Sequence, residues 1–490
     1  MSESDAEVDV VVIGAGPSGL ALAAALASRG VRCRVVDRRA APLAGARCPN
    51  LWQRSLYALE QVGIDARTLR AQSVSMRSKV FHVGADAVEV PLLAAPEDPR
   101  WPLPLLVRQD RLEALLADRA ARLGAPVERG TEAAVVDQDA GSVVVETRSD
   151  GDVRRLRARW VVAADGEGGR TREALGTGWQ VRRHEGIAWW QADVRFEGLG
   201  LPHDREDLYH APERQVGLVP LADGRHRVFI AARADGPAAE PSAEDVRDAV
   251  REVVGDGARP AEVDRVWGRT PFQGMADAWV VGRVILLGDA ARVFPMPVHG
   301  LNTGLQDAAD LSWKLAAVVN GTAAPALLST YEAERREVAS VLAKRGEHVL
   351  WAGVASDPAA ALSPILRERR PRVRTEPAAV YESGPLTVQD PRSAPGHAGE
   401  WIAPGRVHTG TGATTVTELQ AGGRWLVLSP GPLPPGVEHH PLAPRVVAHA
   451  ELPTMKRPMV TVVRPDGYVG AEMSPRSPDE AGRDVLRYLD

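Results

Sequence analysis

The sequence predicts an α/β protein with more than one domain, and three observations support this fold class. The chain has 490 residues, which is too long for one ordinary hydrophobic core. Its hydrophobic content of 44% and charged content of 25% are those of a globular protein. It opens with a strand, a glycine-rich turn, a helix and a second strand, whereas several later stretches alternate apolar with polar residues as sheet strands do.

The composition limits the class of partner. A net charge of −5 gives no reason to expect nucleic acid or an anionic membrane. Two cysteines, Cys33 and Cys48, rule out a disulfide framework and a multi-cysteine metal site, so we predict no metal. The acidic N-terminus lacks the basic and apolar regions of a signal peptide, and no apolar run approaches the length of a membrane span. We therefore expect a cytoplasmic protein with no membrane partner.

The first forty residues read as a β-α-β unit. Residues 8–13 read as a buried parallel strand. An apolar helix follows and stops at Gly30, and residues 32–36 form the second strand. This order predicts a Rossmann-like nucleotide-binding domain.

Three glycines in the first turn, Gly14, Gly16 and Gly19, make the pattern G-x-G-x-x-G. The first allows a tight turn, the second lets a pyrophosphate approach the backbone, and the third lets helix and strand pack closely. Asp37 ends the second strand, where a carboxylate can accept hydrogen bonds from a ribose 2′-hydroxyl. The pattern favours a dinucleotide; glycines that serve only a tight turn are the alternative. The predicted binding residues here are Gly14, Gly16, Pro17, Ser18, Gly19, Asp37 and Arg38.

Three further segments decide which dinucleotide binds. Residues 106–124 read as an amphipathic helix that begins with Arg108 and Gln109. Residues 159–176 read as a strand that ends in an Asp165-Gly166 turn. Residues 288–316 contain Gly-Asp after an apolar run at 280–287, then a proline-containing turn and a helix with Asp310 and Lys314 as an i,i+4 pair. Taken singly, each segment has an ordinary structural explanation.

In this order the segments resemble the single-component FAD-dependent aromatic hydroxylases. These are class A flavoprotein monooxygenases, and the polyketide-tailoring and rifampicin monooxygenase-like members are the most similar. The resemblance covers roughly residues 8–350. It implies FAD as the cofactor, NADPH (or NADH) as the electron donor and O2 as co-substrate. It also implies oxygen insertion through a C4a-(hydro)peroxyflavin into a bulky aromatic or polyketide-type metabolite.

The resemblance assigns cofactor contacts to residues in each segment. Backbone groups at the start of the last helix would face the flavin's pyrimidine edge, and the Gly-Asp pair would hold the ribityl chain. An arginine after the second strand, here Arg47, would lie where the flavin moves and is also a candidate catalytic residue. The residues so implied are Arg47, Arg108, Gln109, Asp165, Gly288, Asp289, Pro295, Gly300, Leu301 and Asn302.

The loop at residues 292–300 departs from the family pattern. Relatives usually carry a histidine and then Pro-Pro-x-Gly-Gly-Gln-Gly, whereas this chain has Arg292 and a loop one residue shorter without the glycine pair. Pro295 and Pro297 stiffen it. His299 could donate to a flavin or substrate oxygen, or act as a catalytic acid or base near neutral pH. It could equally be a capping or packing residue.

Alternating segments between the parts of the first domain predict a smaller sheet that covers the flavin. Asp223-Gly224 between two such runs predicts a hairpin, and Asp466-Gly467 predicts another near the C-terminus. Adjacent residues on a strand face opposite sides, so one of Trp189 and Trp190 belongs to the core and the other can line a substrate pocket. The predicted pocket residues are Trp189, Trp190, Phe272, Pro297 and His299. Two alternatives stay open: a flavoenzyme that acts without oxygen insertion, and a non-catalytic FAD-binding accessory protein.

The chain divides into four predicted parts, and we expect a monomer or homodimer. The C-terminal part resembles the family's thioredoxin-like domain, although it contains no C-x-x-C and cannot carry out dithiol chemistry. The parts are an FAD-binding domain (1–75, 102–179 and 276–352), a substrate-binding sheet domain (76–101 and 180–275), a connector (353–404) and the thioredoxin-like domain (405–490).

Overall fold

The computed structural model shows a mixed α/β protein built on several sheets. The residues that it describes are 7–43, 50–92, 101, 103–198, 200–236, 240–296, 299–364, 380–381, 384–389, 397–402, 405–420, 423–434, 436–442, 444–450 and 459–489.

The strands are numbered in chain order. They are β1 Glu7–Ile13, β2 Cys33–Asp37, β3 Asn50–Leu51, β4 Ser73–Ser75, β5 Ser78–Val83, β6 Asp86–Pro91, β7 Leu105–Val107, β8 Val127–Arg129, β9 Glu132–Gln138, β10 Val143–Ser149, β11 Asp152–Ala163, β12 Trp179–Arg183, β13 Ile187–Glu197, β14 Arg205–Ala211, β15 Arg214–Pro220, β16 His226–Arg233, β17 Arg259–Arg269, β18 Phe272–Ala276, β19 Val280–Val281, β20 Val284–Leu286, β21 Arg292–Val293, β22 Val388–Gln389, β23 Arg406–Thr409, β24 Gly412–Thr415, β25 Leu426–Ser429, β26 Arg445–Ala448, β27 Val460–Val463 and β28 Val469–Met473.

The helices follow the same convention, with one additional 3₁₀ turn at Gly288–Ala290. They are α1 Pro17–Ser28, α2 Gln53–Gln61, α3 Ala66–Ala71, α4 Gln109–Arg122, α5 Thr171–Ala174, α6 Ala243–Val254, α7 Gly300–Val319, α8 Leu327–Gly353, α9 Pro358–Ala361, α10 Val416–Leu419 and α11 Pro478–Leu489.

An eight-stranded sheet forms the centre of the first domain. Its main path is β19-β20-β11-β1-β2-β8, and the pairs from β20 to β8 are parallel. The apolar β1 is central and α1 packs on the sheet, so the predicted β-α-β unit is confirmed. The apolar run at 280–287 is divided between two strands: Gly282, at φ +60°, turns the chain, and β19 and β20 form a short hairpin.

A seven-stranded sheet in the order β17-β13-β16-β15-β14-β5-β6 forms the second layer. The hairpin predicted at Asp223-Gly224 is confirmed, since β15 and β16 pair antiparallel and Gly224 adopts φ +76°. Trp189 and Trp190 pack into different hydrophobic clusters on the two faces of β13. One face of this sheet is therefore directed at the first domain and the other at α6.

The C-terminal residues contribute a five-stranded sheet in the order β22-β28-β27-β25-β26. The predicted hairpin at Asp466-Gly467 is confirmed by the antiparallel pairing of β27 with β28 and by φ +84° at Gly467. The amphipathic α11 packs its apolar side into the core of this sheet. Among the described residues, no helix is long and apolar enough to cross a membrane.

A buried network of charges joins α7 and α8 to the C-terminal sheet. Lys314 Nζ lies 3.0 Å from Asp310 and 2.7 Å from Glu334, so the predicted i,i+4 pair forms, but in the interior. Arg464, which is 0% exposed, donates to Glu334 at 2.6 Å and to Asp310 at 2.9 Å. It also contacts Asp466 at 2.6 Å. Burial alone would raise the pKa of Glu334, but Arg464 and Lys314 outweigh it and lower that pKa to about 2.

We expect the substitution Glu334→Gln to lower the free energy of unfolding by about 3 to 5 kcal/mol, because it leaves Arg464 and Lys314 buried with less negative charge. Because the folded-state pKa lies below the ordinary value of 4.5, the difference between wild type and variant should be full above pH 4.5. It should shrink as the pH falls toward 2. Chemical denaturation across this range tests both points. Glu337→Gln, at an exposed position of the same helix, is the control, and an equal loss in both variants would contradict the network's role.

Candidate functional site

An open cleft with about 1100 Å³ of empty space lies between the eight-stranded and seven-stranded sheets. The first turns of α1 and α7 form one side, and side chains from β13 and β17 form another. The lining residues are Gly16, Pro17, Ser18, Arg39, Leu43, Gln109, Glu113, Ala164, Asp165, Gly166, Glu167, Gln191, Trp267, Arg269, Leu287, Asp289, Val293, Phe294, Met296, Gly300 and Leu301.

A second pocket of about 530 Å³ lies at the ends of β1 and β2. It is lined by Gly14, Asp37, Arg38 and neighbouring residues of the first sheet. Arg39, Ala164 and Asp165 line both spaces. The two spaces are therefore adjacent, as an extended ligand with two ends would require.

The three glycines of the first turn differ in their surroundings. A Cβ at Gly14, which adopts φ +106°, would lie 2.3 Å from the carbonyl oxygen of Ala164. A Cβ at Gly19 would lie 2.1 Å from the Gly14 oxygen, whereas no atom of the described residues lies within 4 Å of one at Gly16. Packing thus requires the first and third glycines, and the second leaves room beside the backbone for a ligand.

Two helix N-termini point into the cleft. α1 begins after Gly16 and α7 begins after His299, and neither first turn receives a side-chain cap from the described residues. The two helices approach closely at Ser18 because the residues opposite it are glycines. A Cβ at Gly304 would lie 2.2 Å from the Ser18 Oγ, and a Cβ at Gly288 would lie 2.9 Å from it. Uncapped N–H groups and the positive helix ends favour an anionic ligand.

Asp37 and Asp165 hold the turns around the smaller pocket. The buried carboxylate of Asp37 accepts the N–H of Ala15 at 2.9 Å and that of Arg39 at 2.8 Å. Asp165 Oδ2 accepts the N–H and hydroxyl of Thr171 at 3.1 and 2.8 Å. Its Oδ1 is buried with no hydrogen-bond partner among the described residues. An orphaned carboxylate oxygen beside both spaces fits a ligand that carries hydroxyl groups.

The Gly288–Ala290 turn presents Asp289 to the cleft with 49% of its side chain exposed. Behind it, the fully buried Arg292 lies 3.5 Å from Asp289 and 2.6 Å from Asp307. Arg292 therefore links this turn to α7. The side chain of Asn302 binds β3 and the start of α2 instead of lining the cleft: it donates to the Asn50 carbonyl at 2.8 Å and accepts the N–H of Trp52 at 2.9 Å.

The side chains of Arg108 and Gln109 lie in different surroundings. Arg108 is paired with Asp110 at 2.7 Å and Asp223 at 2.9 Å and is not among the described residues that line the cleft. Its contact with the cofactor stays a prediction. Gln109 lines the cleft and donates to Glu113 at 2.8 Å. Burial raises the pKa of Glu113. Glu113 is not among the site residues predicted from the sequence, although its i,i+4 spacing from Gln109 places both side chains on one helix face.

The structure changes the interpretation of His299. Burial, with the positive charges of Arg345 and Lys79, lowers its pKa to about 4. Its imidazole is therefore neutral at pH 7 and does not titrate near neutral pH as the sequence suggested. It lies edge-on to Phe294 at 6.4 Å between ring centroids and is absent from the described lining of the cleft. Pro295 is buried beside Gly346 of α8; Arg47 and Pro297 lie outside the described residues.

The predicted aromatic pocket residues lie elsewhere. Trp189 is 2% exposed and stacks on Phe229 at 5.1 Å, which makes it a core residue. Trp190 packs on the opposite face of the sheet, and Phe272 lies beneath the guanidinium of Arg269 at 4.9 Å. None of these three is among the described residues that line the cleft. The sheet instead contributes Gln191, Trp267 and Arg269 to the cleft. Gln191 lies on the same face of β13 as Trp189, two residues farther along the strand, and this position borders the cleft.

Comparison with known proteins gives one consistent result. Residues 7–345 match the model of the FAD binding domain family. The chain is 34% identical to 12-dehydrotetracycline 5-monooxygenase/anhydrotetracycline 6-monooxygenase of Streptomyces rimosus over 344 aligned residues. The aligned region covers 68% of this chain and 67% of the relative. It is 34% identical over 351 residues to a rifampicin monooxygenase of Streptomyces venezuelae, covering 68% and 69%. Its fold is similar to that of anhydrotetracycline hydroxylase from Streptomyces rimosus, with TM-score 0.77, 29% identity and coverage of 98% and 99%.

We expect Gly16→Val to weaken FAD binding by about a hundredfold or more, because the side chain would fill the space that the backbone leaves for the pyrophosphate. The apo protein should fold normally, since the described residues leave that space open. Flavin absorbance of the purified protein and FAD titration of the apoprotein measure the effect. Gly257→Val, where a Cβ also meets no described atom, should retain FAD; unchanged affinity in Gly16→Val would show that the ligand does not pass this glycine.

His299→Asn should reveal the lowered pKa as a dependence of stability on pH. Because the folded-state pKa is about 4 and the ordinary value is 6.5, the unfolded chain takes up the proton first. The stability of wild type relative to the variant should therefore fall as the pH drops from about 6.5 to 4. Thermal denaturation at pH 7 and pH 5 measures it, with His348→Asn at an exposed position of α8 as the control. A difference that is independent of pH would contradict a neutral imidazole in the folded protein.

Proposed function

The chain belongs to the FAD-binding family of single-component flavoprotein monooxygenases, the aromatic hydroxylases, and it is accordingly an FAD-dependent monooxygenase. From this membership we propose that it inserts one oxygen atom from O2 into a bulky aromatic or polyketide-type metabolite, with NADPH or NADH as the electron donor. The substrate class rests on the names of its relatives.

The observation that carries the proposal is the joint position of two uncapped helix N-termini, the open backbone at Gly16 and the orphaned oxygen of Asp165. These features fit a long anionic dinucleotide. When bound, FAD supplies hydride acceptance from the nicotinamide and activation of O2. The residues that would hold it are Gly14, Gly16, Pro17, Ser18, Gly19, Asp37, Arg38, Arg39, Gln109, Asp165, Gly288, Asp289, Gly300 and Leu301.

Each end of the site has a distinct electrostatic task. The start of α1 and the arginines at the end of β2 stabilise phosphate charge. The start of α7 is a second positive end, suited to negative charge that develops on a ring system bound beside Gly300 and Leu301. Asp289 and Gln109 offer oxygen atoms to hydroxyl groups between these two ends.

Apolar side chains border the reacting part of the cleft. Val293, Phe294 and Met296 come from the segment that follows Asp289, and all three are buried while still lining the cleft. They exclude water from the space beside the start of α7, which oxygen transfer requires if the activated oxygen is to reach substrate before solvent. The buried prolyl ring of Pro295 against α8 would hold this segment in place.

The division into domains is also part of the proposal. The eight-stranded sheet corresponds to the FAD-binding domain and the seven-stranded sheet to the substrate domain. The five-stranded C-terminal sheet with α11 is proposed to be thioredoxin-like in fold, with a structural role through Arg464. A cytoplasmic location follows from the proposed use of a nicotinamide cofactor.

A second candidate function is a flavin-dependent reaction without oxygen insertion. Arg292 and the proline-containing loop favour it, because relatives have a histidine and a flexible glycine pair beside the flavin. The same experiment separates the two functions.

We expect the purified holoenzyme to show flavin absorbance and to oxidise NADPH or NADH faster when a suitable substrate is added. Anhydrotetracycline and rifampicin, the compounds in the names of its relatives, are the first probes. Under 18O2 the product should contain one 18O atom, as determined by mass spectrometry. Substrate-dependent NAD(P)H oxidation with an unlabelled, altered product would support the second candidate, and a folded protein that binds no flavin would exclude both.

A further inference from the structure

One polar side chain in the cleft lacks a partner. Gln191 lies on β13, is 7% exposed and lines the cleft. Its amide makes no hydrogen bond with the described residues. Neither amide atom is among the fully buried polar atoms that lack a partner, so the amide is open to the cleft, where a ligand atom can become its hydrogen-bond partner.

Its neighbours define the kind of surface that surrounds this amide. In the sheet register, Gln191 pairs with Phe229 of β16 and with Trp267 of β17. Trp267 also lines the cleft, and Arg269, two residues farther along the same strand, lies with its guanidinium 5.2 Å from the Trp267 ring centre. The guanidinium is held in turn by Glu167 at 2.8 Å. A flat aromatic surface is thus fixed beside the unpaired amide.

We propose that Gln191 and Trp267 select the substrate: Trp267 stacks on a planar fused aromatic ring, and Gln191 forms a hydrogen bond to an oxygen substituent on the edge of that ring. This deepens the proposed function and rests on it, since it names the substrate class at the same cleft. A glutamine amide has both donors and an acceptor, so a hydroxyl group can accept from it or donate to it. An unsubstituted hydrocarbon edge would leave the amide unpaired.

The two residues have separable effects on affinity. Stacking on Trp267 depends on the aromatic area, which is the same whether or not the ring carries a hydroxyl group. The hydrogen bond to Gln191 depends on the oxygen alone. Arg269 acts through Trp267 as a positioning residue, because it holds the ring and is itself held by Glu167.

The test uses oxidised holoenzyme and two matched probes, 2-naphthol and naphthalene, with binding followed by the change in flavin absorbance. Wild type should bind 2-naphthol about tenfold more tightly than naphthalene. Gln191→Met, a substitution of similar length, should bind the two probes equally. Trp267→Leu should weaken both probes by the same factor and keep their ratio. Gln180→Met, at an exposed position that does not line the cleft, should behave as wild type.

A second measurement separates recognition from a structural role. The thermal midpoint of ligand-free Gln191→Met holoenzyme should equal that of wild type, because the amide makes no hydrogen bond with the described residues that the substitution would remove. A lower midpoint together with retained preference for 2-naphthol would overturn the proposal, as would a wild type that does not distinguish the probes or binds neither. These titrations involve no turnover and therefore do not depend on oxygen insertion. Loss of 18O labelling would refute the proposed function. Loss of selection between the two probes would refute only this inference.

Discussion

The close approach of α1 and α7 around Ser18 is the contact on which the rest of the site depends. Gly288 and Gly304 lack the side chains that would collide with the Ser18 hydroxyl. Because the helices can approach this closely, both N-termini open into one cleft. Two uncapped helix ends beside each other would repel without a ligand, so the fold concentrates positive potential where a dinucleotide has its negative charge.

Burial of charge secures the far side of the same helix. α7 carries Asp307 toward Arg292, and one turn later carries Asp310 and Lys314 toward Arg464 of the C-terminal sheet. Buried ion pairs contribute little net stability compared with apolar packing, but they tolerate little displacement, since an unpaired charge in the interior is costly. The network therefore specifies where α7 lies relative to the turn that presents Asp289.

The sequence predicted the local parts of this molecule well, because they depend on residues close together in the chain. The β-α-β unit and the hairpins at Gly224 and Gly467 follow from glycines at positive φ and from apolar runs. Side-chain destinations were predicted less well, because they depend on which face of a strand meets a distant element. Trp189 was expected in the pocket but packs on Phe229, and the cleft position falls to Gln191 on the same face.

The shifted pKa values of single residues could not be predicted from the sequence either. His299 and Glu113 have the side chains of ordinary acids and bases, and only their burial and neighbours shift their pKa values. Arg108 had a partner that sequence reasoning could not supply, since Asp223 comes from a hairpin of the other sheet more than a hundred residues later. Long-range pairing of this kind leaves no periodic signal in the chain.

The placement of Arg464 has a consequence for how the protein can be divided. The match to the FAD binding domain family ends at residue 345, which suggests a natural point for preparing a fragment. Such a fragment would keep Asp310, Glu334 and Lys314, two carboxylates against one ammonium, and would expose Trp313, whose indole contacts Asp466. The end of the family match therefore does not coincide with a gap in the packing, and we expect a fragment that ends there to be less stable than the full chain.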